Sequence, residues 1–129
     1  MRVRLEVTES WGVKHYILDA EHRVIEADLL TWGRWFEVVE HRKLAWTKMR
    51  HLLILTTFLG IDVDFGEGRP SFFETRVLDA LDELECVQYP LWEEALGGHH
   101  AAVKRWSRWA EDAWSATERT LSERCGRHQ

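Results

Sequence analysis

Apolar residues recur at helical spacing from residue 92 to residue 121, and no other pattern constrains the fold of this chain as strongly. At 100° per residue they fall within an arc of about 140°, which is typical of a helix with one buried side. The pattern predicts a long C-terminal helix whose apolar arc must pack against another layer. Gly97 and Gly98 lower the helix propensity locally and indicate a bend or a close approach to that layer. The arc comprises Trp92, Ala95, Leu96, His99, Ala102, Val103, Trp106, Trp109, Ala110, Ala113, Trp114 and Leu121.

Short segments with alternating or β-branched residues supply the other layer. Residues 51–58 are almost continuously apolar or β-branched, which predicts a central strand buried on both faces. A short helix over about residues 29–39 is predicted after the N-cap Asp28. Together these patterns predict an α+β fold with a largely antiparallel sheet of five or six strands, one short helix, and the long C-terminal helix packed on one face. The candidate strands, of which five or six are expected in the sheet, are residues 2–8, 13–18, 23–27, 43–47, 51–58, 72–78 and 85–89.

Length and charge exclude several classes of protein. The chain has 129 residues, which predicts a single domain over 1–129. Its formal net charge of −5 has the wrong sign for a protein that binds the phosphate backbone, so no direct nucleic-acid partner is expected. Cys86 and Cys125 are too few for a disulfide framework, and the longest apolar run, Leu52–Leu55, is too short to span a bilayer. We therefore expect a cytoplasmic protein with free thiols and no membrane partner.

Carboxylates around a glycine-rich loop are the first candidates for chemistry. Asp62, Asp64, Glu67 and Glu74 surround this loop, but their spacing does not complete an EF-hand, and solvated loop acids are the favoured interpretation. His99 lies near the centre of the apolar arc of the C-terminal helix, where a buried structural histidine is expected more often than a ligand. The sequence therefore predicts no catalytic residue, no metal and no cofactor. A metal-assisted hydrolase using Asp62, Asp64, Glu74 and His99 remains the enzymatic alternative.

Acidic residues are concentrated in one part of the chain. Residues 60–85 contain eight acidic and two basic residues, a local net charge of −6, whereas the rest of the chain sums to +1. A surface of one sign steers basic partners and can occupy a groove that normally receives nucleic acid. A solvated acidic region without a partner is the more common explanation of such a cluster. If these acids instead share one exposed surface, it becomes the predicted partner-binding site, centred on Asp79, Asp82, Glu83 and Glu85.

The C-terminal helix provides a second candidate contact. A helix over about residues 91–121 is roughly 45 Å long, while a compact domain of about 100 residues is only about 34 Å across. We therefore expect the distal part of the helix to overhang the domain and to expose Trp109 and Trp114. Exposed tryptophans of this kind mark contact surfaces, so the sequence predicts either a homodimer through the C-terminal helix or a foreign protein docked there.

Three motifs in the same order resemble a known group of proteins. They are Trp32–Glu37, the stretch Phe58–Thr75 with its glycines and Pro70, and Tyr89–Ala95 followed by Gly98 and His99. This combination resembles a family of small uncharacterised proteins of tailed phages and prophages. The chain departs from the family pattern at Arg76, where methionine is usual, at Asp79-Ala80, where two glycines are usual, and at Leu91, where a threonine N-cap is usual. The resemblance implies a phage or prophage origin and supplies no catalytic residues.

The sequence therefore favours a non-catalytic phage or prophage accessory protein that binds a host or phage protein in the host cytoplasm. In a narrower form of this hypothesis it inhibits a host defence or nucleic-acid-handling complex. The alternatives are the metal-assisted hydrolase and a minor structural component of the virion. Convergence of the loop carboxylates with His99 in a pocket would favour the enzyme, whereas a flat acidic face would favour the binding protein.

Overall fold

A computed structural model describes residues 13–64, 68–80 and 82–127, with the side chains of the last helix described as far as Asp112. The predicted strand over residues 2–8 lies outside the described residues. The α+β class is confirmed. The elements in chain order are β1 His15–Leu18, β2 Val24–Ala27, α1 Leu29–Phe36, α2 Val39–Arg42, β3 Lys43–Met49, β4 Leu52–Phe58, β5 Phe73–Asp79, β6 Asp82–Tyr89 and α3 Trp92–Arg127.

The six described strands are antiparallel throughout, as predicted, but they form two sheets. β1 and β2 pair as a hairpin, and β3, β4, β5 and β6 form a four-stranded meander in that order. The Asp19 carboxylate fixes the hairpin turn by accepting hydrogen bonds from the backbone N–H groups of Glu21 and Arg23, both at 2.9 Å. The hairpin joins the rest of the chain through the bond from Tyr16 N to Gly60 O and through side-chain packing, so it does not extend the larger sheet.

One face of the four-stranded sheet carries the core. Leu52, Ile54, Thr56 and Phe58 of β4 are buried on the side that α3 covers, whereas the residues between them are only half-buried. The prediction that β4 is buried on both faces was therefore wrong for one face. Among the described residues, the helices and the hairpin pack on a single side, which leaves the other side of the sheet open.

The long C-terminal helix is confirmed and extends past the predicted end at residue 121. α3 contains 36 residues, which at 1.5 Å per residue is about 54 Å, roughly twice the length of a strand of seven residues. Its small buried residues Ala95 and Ala102 let the helix lie close to the sheet. No helix in the described part of the chain combines the length and apolar character that crossing a membrane requires.

The predicted helix over residues 29–39 is divided into α1 and α2. Asp28 caps α1 as predicted, because its carboxylate accepts a hydrogen bond from Thr31 N at 2.8 Å. α1 packs against Gly60, where a Cβ atom would lie 2.6 Å from the Phe36 ring and 2.7 Å from Trp32 Nε1. Gly60 also has φ of 78°, so both its backbone and its surroundings require glycine.

The turn between β5 and β6 contains a strained residue. Ala80 has φ of 55°, in the left-handed region that side chains with a Cβ atom disfavour. We expect Ala80→Gly to raise the free energy of unfolding by about 0.5–1 kcal/mol. Ala101→Gly, at an exposed position inside α3, is the control and should lower it by about 1 kcal/mol. Denaturant unfolding measures both changes, and a destabilised Ala80→Gly variant would contradict the strain at this turn.

Candidate partner-binding surface

His99 is a structural residue of the core, as the sequence predicted. Its side chain is buried with 3% exposure, and both ring nitrogens are engaged. Nδ1 lies 2.8 Å from the Thr56 hydroxyl and Nε2 lies 2.9 Å from the Thr47 hydroxyl. The Thr56 hydroxyl also lies 2.5 Å from that of Thr75. This closed network leaves neither nitrogen of His99 free for a metal or a substrate.

The carboxylates of the hydrolase hypothesis do not converge on His99. Asp62 shapes the loop after β4 by accepting hydrogen bonds from the backbone N–H groups of Asp64 and Ser71 at 3.0 and 2.9 Å. Glu74 lies on the open face of the sheet, in register with Thr57 and Gln88, whereas His99 lies on the opposite face. Glu67 lies outside the described residues. Within 13–64, 68–80 and 82–127, no group of three or more potential ligands could hold a metal ion.

Cys86 is exposed, but its surroundings suppress its reactivity. Partial burial and the Glu74 carboxylate, which accepts a hydrogen bond from Sγ at 3.3 Å, raise the pKa of Cys86 to about 11. Because the thiolate is the nucleophilic form, Cys86 is almost entirely in its unreactive form at neutral pH.

The four predicted partner-binding carboxylates do not share one face of the sheet. Glu83 lies on the open face, where its carboxylate accepts a hydrogen bond from Arg76 Nε at 2.7 Å. Glu85 lies on the opposite face and bonds Arg105 and Trp106 of α3 at 2.5 and 2.9 Å. Burial acts to raise the pKa of Glu85, but these two hydrogen bonds outweigh it and hold the pKa below its ordinary value. A register shift in the β5–β6 pairing explains the division. Leu78 pairs with Glu83 and Val77 with Glu85, so one extra residue of β6 lies between them, and it sends to opposite faces two residues that regular alternation would place together.

Asp79 and Asp82 remain at the end of the sheet, and α3 brings Trp109 to the same end. Asp79 and Asp82 are paired in register beside the β5–β6 turn. His51 Nε2, in the β3–β4 turn, lies 3.5 Å from the Asp79 carboxylate, and its ring centroid lies 6.1 Å from that of Trp109. Trp109 is 41% exposed. We call Asp79, Asp82, His51 and Trp109 the distal surface.

The ion pair between Arg50 and Glu111 borders the distal surface and ties α3 to the β3–β4 turn at 3.0 Å. Trp109 also contacts Trp106, with a centroid distance of 5.3 Å, and Trp106 in turn donates to Glu85. Glu85 therefore helps to position Trp106, and through it Trp109, although Glu85 does not belong to the distal surface. The backbone of Trp114 is helical, and its side chain lies beyond the described part of α3.

Sequence reasoning identified Asp79, Asp82 and Trp109 separately but missed His51, which joins them. The sequence predicted His51 as the first residue of the strand over 51–58, whereas the structure begins that strand at Leu52, and a position at the start of a strand carries no information about contacts with distant elements. Its neighbours come from β5 and α3, 28 and 58 positions later in the chain.

The chain also contains a cavity of about 450 Å³ at the opposite end, beside the first turn of α3. The rings of His22 and Trp92 stack there in parallel with centroids 3.7 Å apart. Its two arginines are already engaged, Arg23 with Asp19 and Glu21 and Arg69 with Glu94. The cavity suits an apolar group and does not assemble an ionic substrate site.

The motifs that carry the phage resemblance converge on one part of the core. Trp35 packs edge to face on Phe58 with a centroid distance of 5.5 Å, and Phe73 contacts Trp92 at 6.3 Å. Tyr89 lies directly against Gly98. These residues therefore specify packing between α1, the sheet and α3, and they do not form a site. Comparison of the chain with protein-family models, curated proteins and solved structures gave no match.

Proposed function

We propose that this chain is a non-catalytic phage or prophage accessory protein that binds a host or phage protein through the distal surface. The observation that carries the proposal is the exposed Trp109 at the same end of the sheet as Asp79 and Asp82, linked to Asp79 through His51. Tryptophan is among the residues that dominate binding energy at protein interfaces, and acidic neighbours select a basic partner.

The chemistry of the distal surface defines the kind of partner. An arginine or lysine of the partner can pair with Asp79 or Asp82 and place its cationic group over the exposed Trp109 ring. Surfaces rich in arginine and lysine are typical of proteins that handle nucleic acid. A basic subunit of a host defence or nucleic-acid-handling complex is therefore the partner that the distal surface fits best.

Affinity capture from host cells tests the proposal when variants are compared with the wild type. We expect Asp79→Asn/Asp82→Asn and Trp109→Ala each to lose a partner that the wild type captures. Glu26→Gln/Glu93→Gln is the matched control: it removes the same charge at two exposed positions outside the distal surface and should retain the partner. Equal capture by the wild type and both distal-surface variants would show that binding, if any, occurs elsewhere.

A further inference from the structure

The open face of the four-stranded sheet, opposite α3, carries an ordered pattern of side chains that the proposed function does not use. Cross-strand register aligns these side chains in rows that run from β3 to β6. One row consists of Lys48, Leu53, Leu78 and Glu83. It therefore begins with a cation on β3, passes over two leucines, and ends with an anion on β6.

The next two rows add an exposed tryptophan and a second lysine on the β3 side. The middle row begins with Trp46, which is 57% exposed, continues through Leu55 and Arg76, and ends with Cys86. Lys43 begins the third row, and its ammonium lies 4.3 Å from the centroid of the Trp46 ring. Glu74 lies two strands away in the same row as Lys43. The β3 side of the open face thus carries both lysines, of which Lys43 also pairs with Glu40, and the β5–β6 side carries both carboxylates together with Arg76.

The row of Lys48, Leu53, Leu78 and Glu83 is complementary to the same row of a second copy. If two sheets stack about a two-fold axis parallel to the strands, β3 of one copy lies over β6 of the other. Lys48 then faces Glu83 of the second copy, and Leu53 faces Leu78 of the second copy, twice by symmetry. A two-fold axis across the strands would instead place β3 over β3 and bring lysine onto lysine. Charge therefore selects one of the two face-to-face arrangements.

Arg76 lies inside this contact area, but its charge is already matched. Its guanidinium donates to Glu83 at 2.7 Å, and the two form an ion pair on the open face. Arg76 therefore enters the contact as part of an ion pair, and an arginine already paired in this way costs less to desolvate than a lone charge.

We infer that the chain forms a two-fold homodimer in which the open faces of two sheets stack, with Lys48 of each copy paired to Glu83 of the other. Four strands of about seven residues present about 400 Å² in projection, so the dimer buries roughly 1,000 Å² in total, which is below the standard size of stable interfaces and typical of weak ones. Its dissociation constant is therefore expected on the order of micromolar. The distal surface lies at the end of the sheet and stays accessible in each copy.

Charge exchange between copies tests this inference. Lys48→Glu places glutamate against Glu83 of the second copy, and Glu83→Lys places lysine against Lys48, so each variant alone should be monomeric. When the two variants are mixed, both contacts become lysine with glutamate, and the dimer should return with an affinity within about tenfold of the wild type. Sedimentation velocity over a concentration series measures all three samples.

Lys104→Glu, which makes the same charge change at an exposed position on α3, is the control and should dimerise like the wild type. Thermal unfolding of each variant at high dilution shows that its monomer is folded. A wild type that stays monomeric up to 1 mM, on the order of a thousandfold above the expected dissociation constant, overturns the inference. So does a wild-type dimer that Lys48→Glu leaves intact, or a mixture of the two variants that stays monomeric. These outcomes are independent of capture through the distal surface.

Discussion

His99→Ala is expected to lower the free energy of unfolding by about 3 kcal/mol, the largest loss among the substitutions considered. The substitution opens a cavity between α3 and the sheet and removes a hydrogen-bond partner from the hydroxyls of Thr47 and Thr56. The Thr56 hydroxyl keeps its hydrogen bond with Thr75. The Thr47 hydroxyl therefore accounts for most of the free energy lost with the two hydrogen bonds of His99. Urea unfolding monitored by circular dichroism measures the change.

His100→Ala is the matched control, since His100 is the next residue on α3 and is exposed. It should change stability by less than about 0.5 kcal/mol. Zn²⁺ and Mn²⁺ should leave the melting temperature of the wild type unchanged, because both nitrogens of His99 are already engaged. A rise in melting temperature with either metal that disappears in His99→Ala would instead identify His99 as a ligand.

The burial of His99 also makes the free energy of unfolding depend on pH. Burial, together with the neighbouring His100, lowers the pKa of His99 below its ordinary value of 6.5. As the pH falls through 6.5, the unfolded chain takes up a proton at this position and the folded chain does not. The stability that His99 contributes is therefore complete above pH 6.5 and is lost as the pH falls from 6.5 toward the folded pKa. The difference in stability between the wild type and His99→Ala should narrow over that range.

Gly98→Ala is expected to lower the free energy of unfolding by about 2–3 kcal/mol, although alanine is the better helix former. A Cβ atom at Gly98 would overlap the Tyr89 ring of β6, meeting its hydroxyl and Cζ. Tyr89 cannot move without cost, because its hydroxyl bonds Thr75 in the buried network and its ring belongs to the core cluster. The melting temperature should fall by roughly 6–12 °C.

Gly97→Ala provides the control with the opposite sign. A Cβ atom at Gly97 meets no atom within 4 Å, so the substitution should raise the free energy of unfolding by about 0.5–1 kcal/mol through helix propensity alone. If both alanine variants are stabilised, α3 does not lie against Tyr89 as the structure has it. Comparison of the two substitutions thus separates the contribution of helix propensity to the free energy of unfolding from that of packing against Tyr89.

Most of the fold follows from local patterns in the sequence. The apolar arc of α3 predicted a helix and placed His99 on its buried side, because helical periodicity alone decides which residues share a face. The period of two in the strands located most of them along the chain. It could not divide the strands into two sheets, since the hairpin of β1 and β2 is separated from the meander by tertiary packing of Leu18 against Phe58 and Phe73.

The candidate site was harder to predict from the sequence than the fold, because its residues come together only through tertiary contacts. A cluster of acids along the chain predicted one surface, but the register shift between β5 and β6 sends Glu83 and Glu85 to opposite faces of the sheet, although regular alternation would place them together. The grouping of Asp79 with His51 and Trp109 depends on two turns and a helix meeting at one end of the sheet. Contacts of such long sequence separation leave no periodic signal in the chain.

Equilibrium binding between the purified chain and the partner captured from host cells tests the proposed function most directly. We expect the affinity to fall at least tenfold between 50 and 300 mM salt, and at least tenfold for Trp109→Ala at fixed salt. Glu26→Gln/Glu93→Gln should bind like the wild type at each salt concentration. An affinity that neither salt nor Trp109→Ala changes would contradict binding through the distal surface.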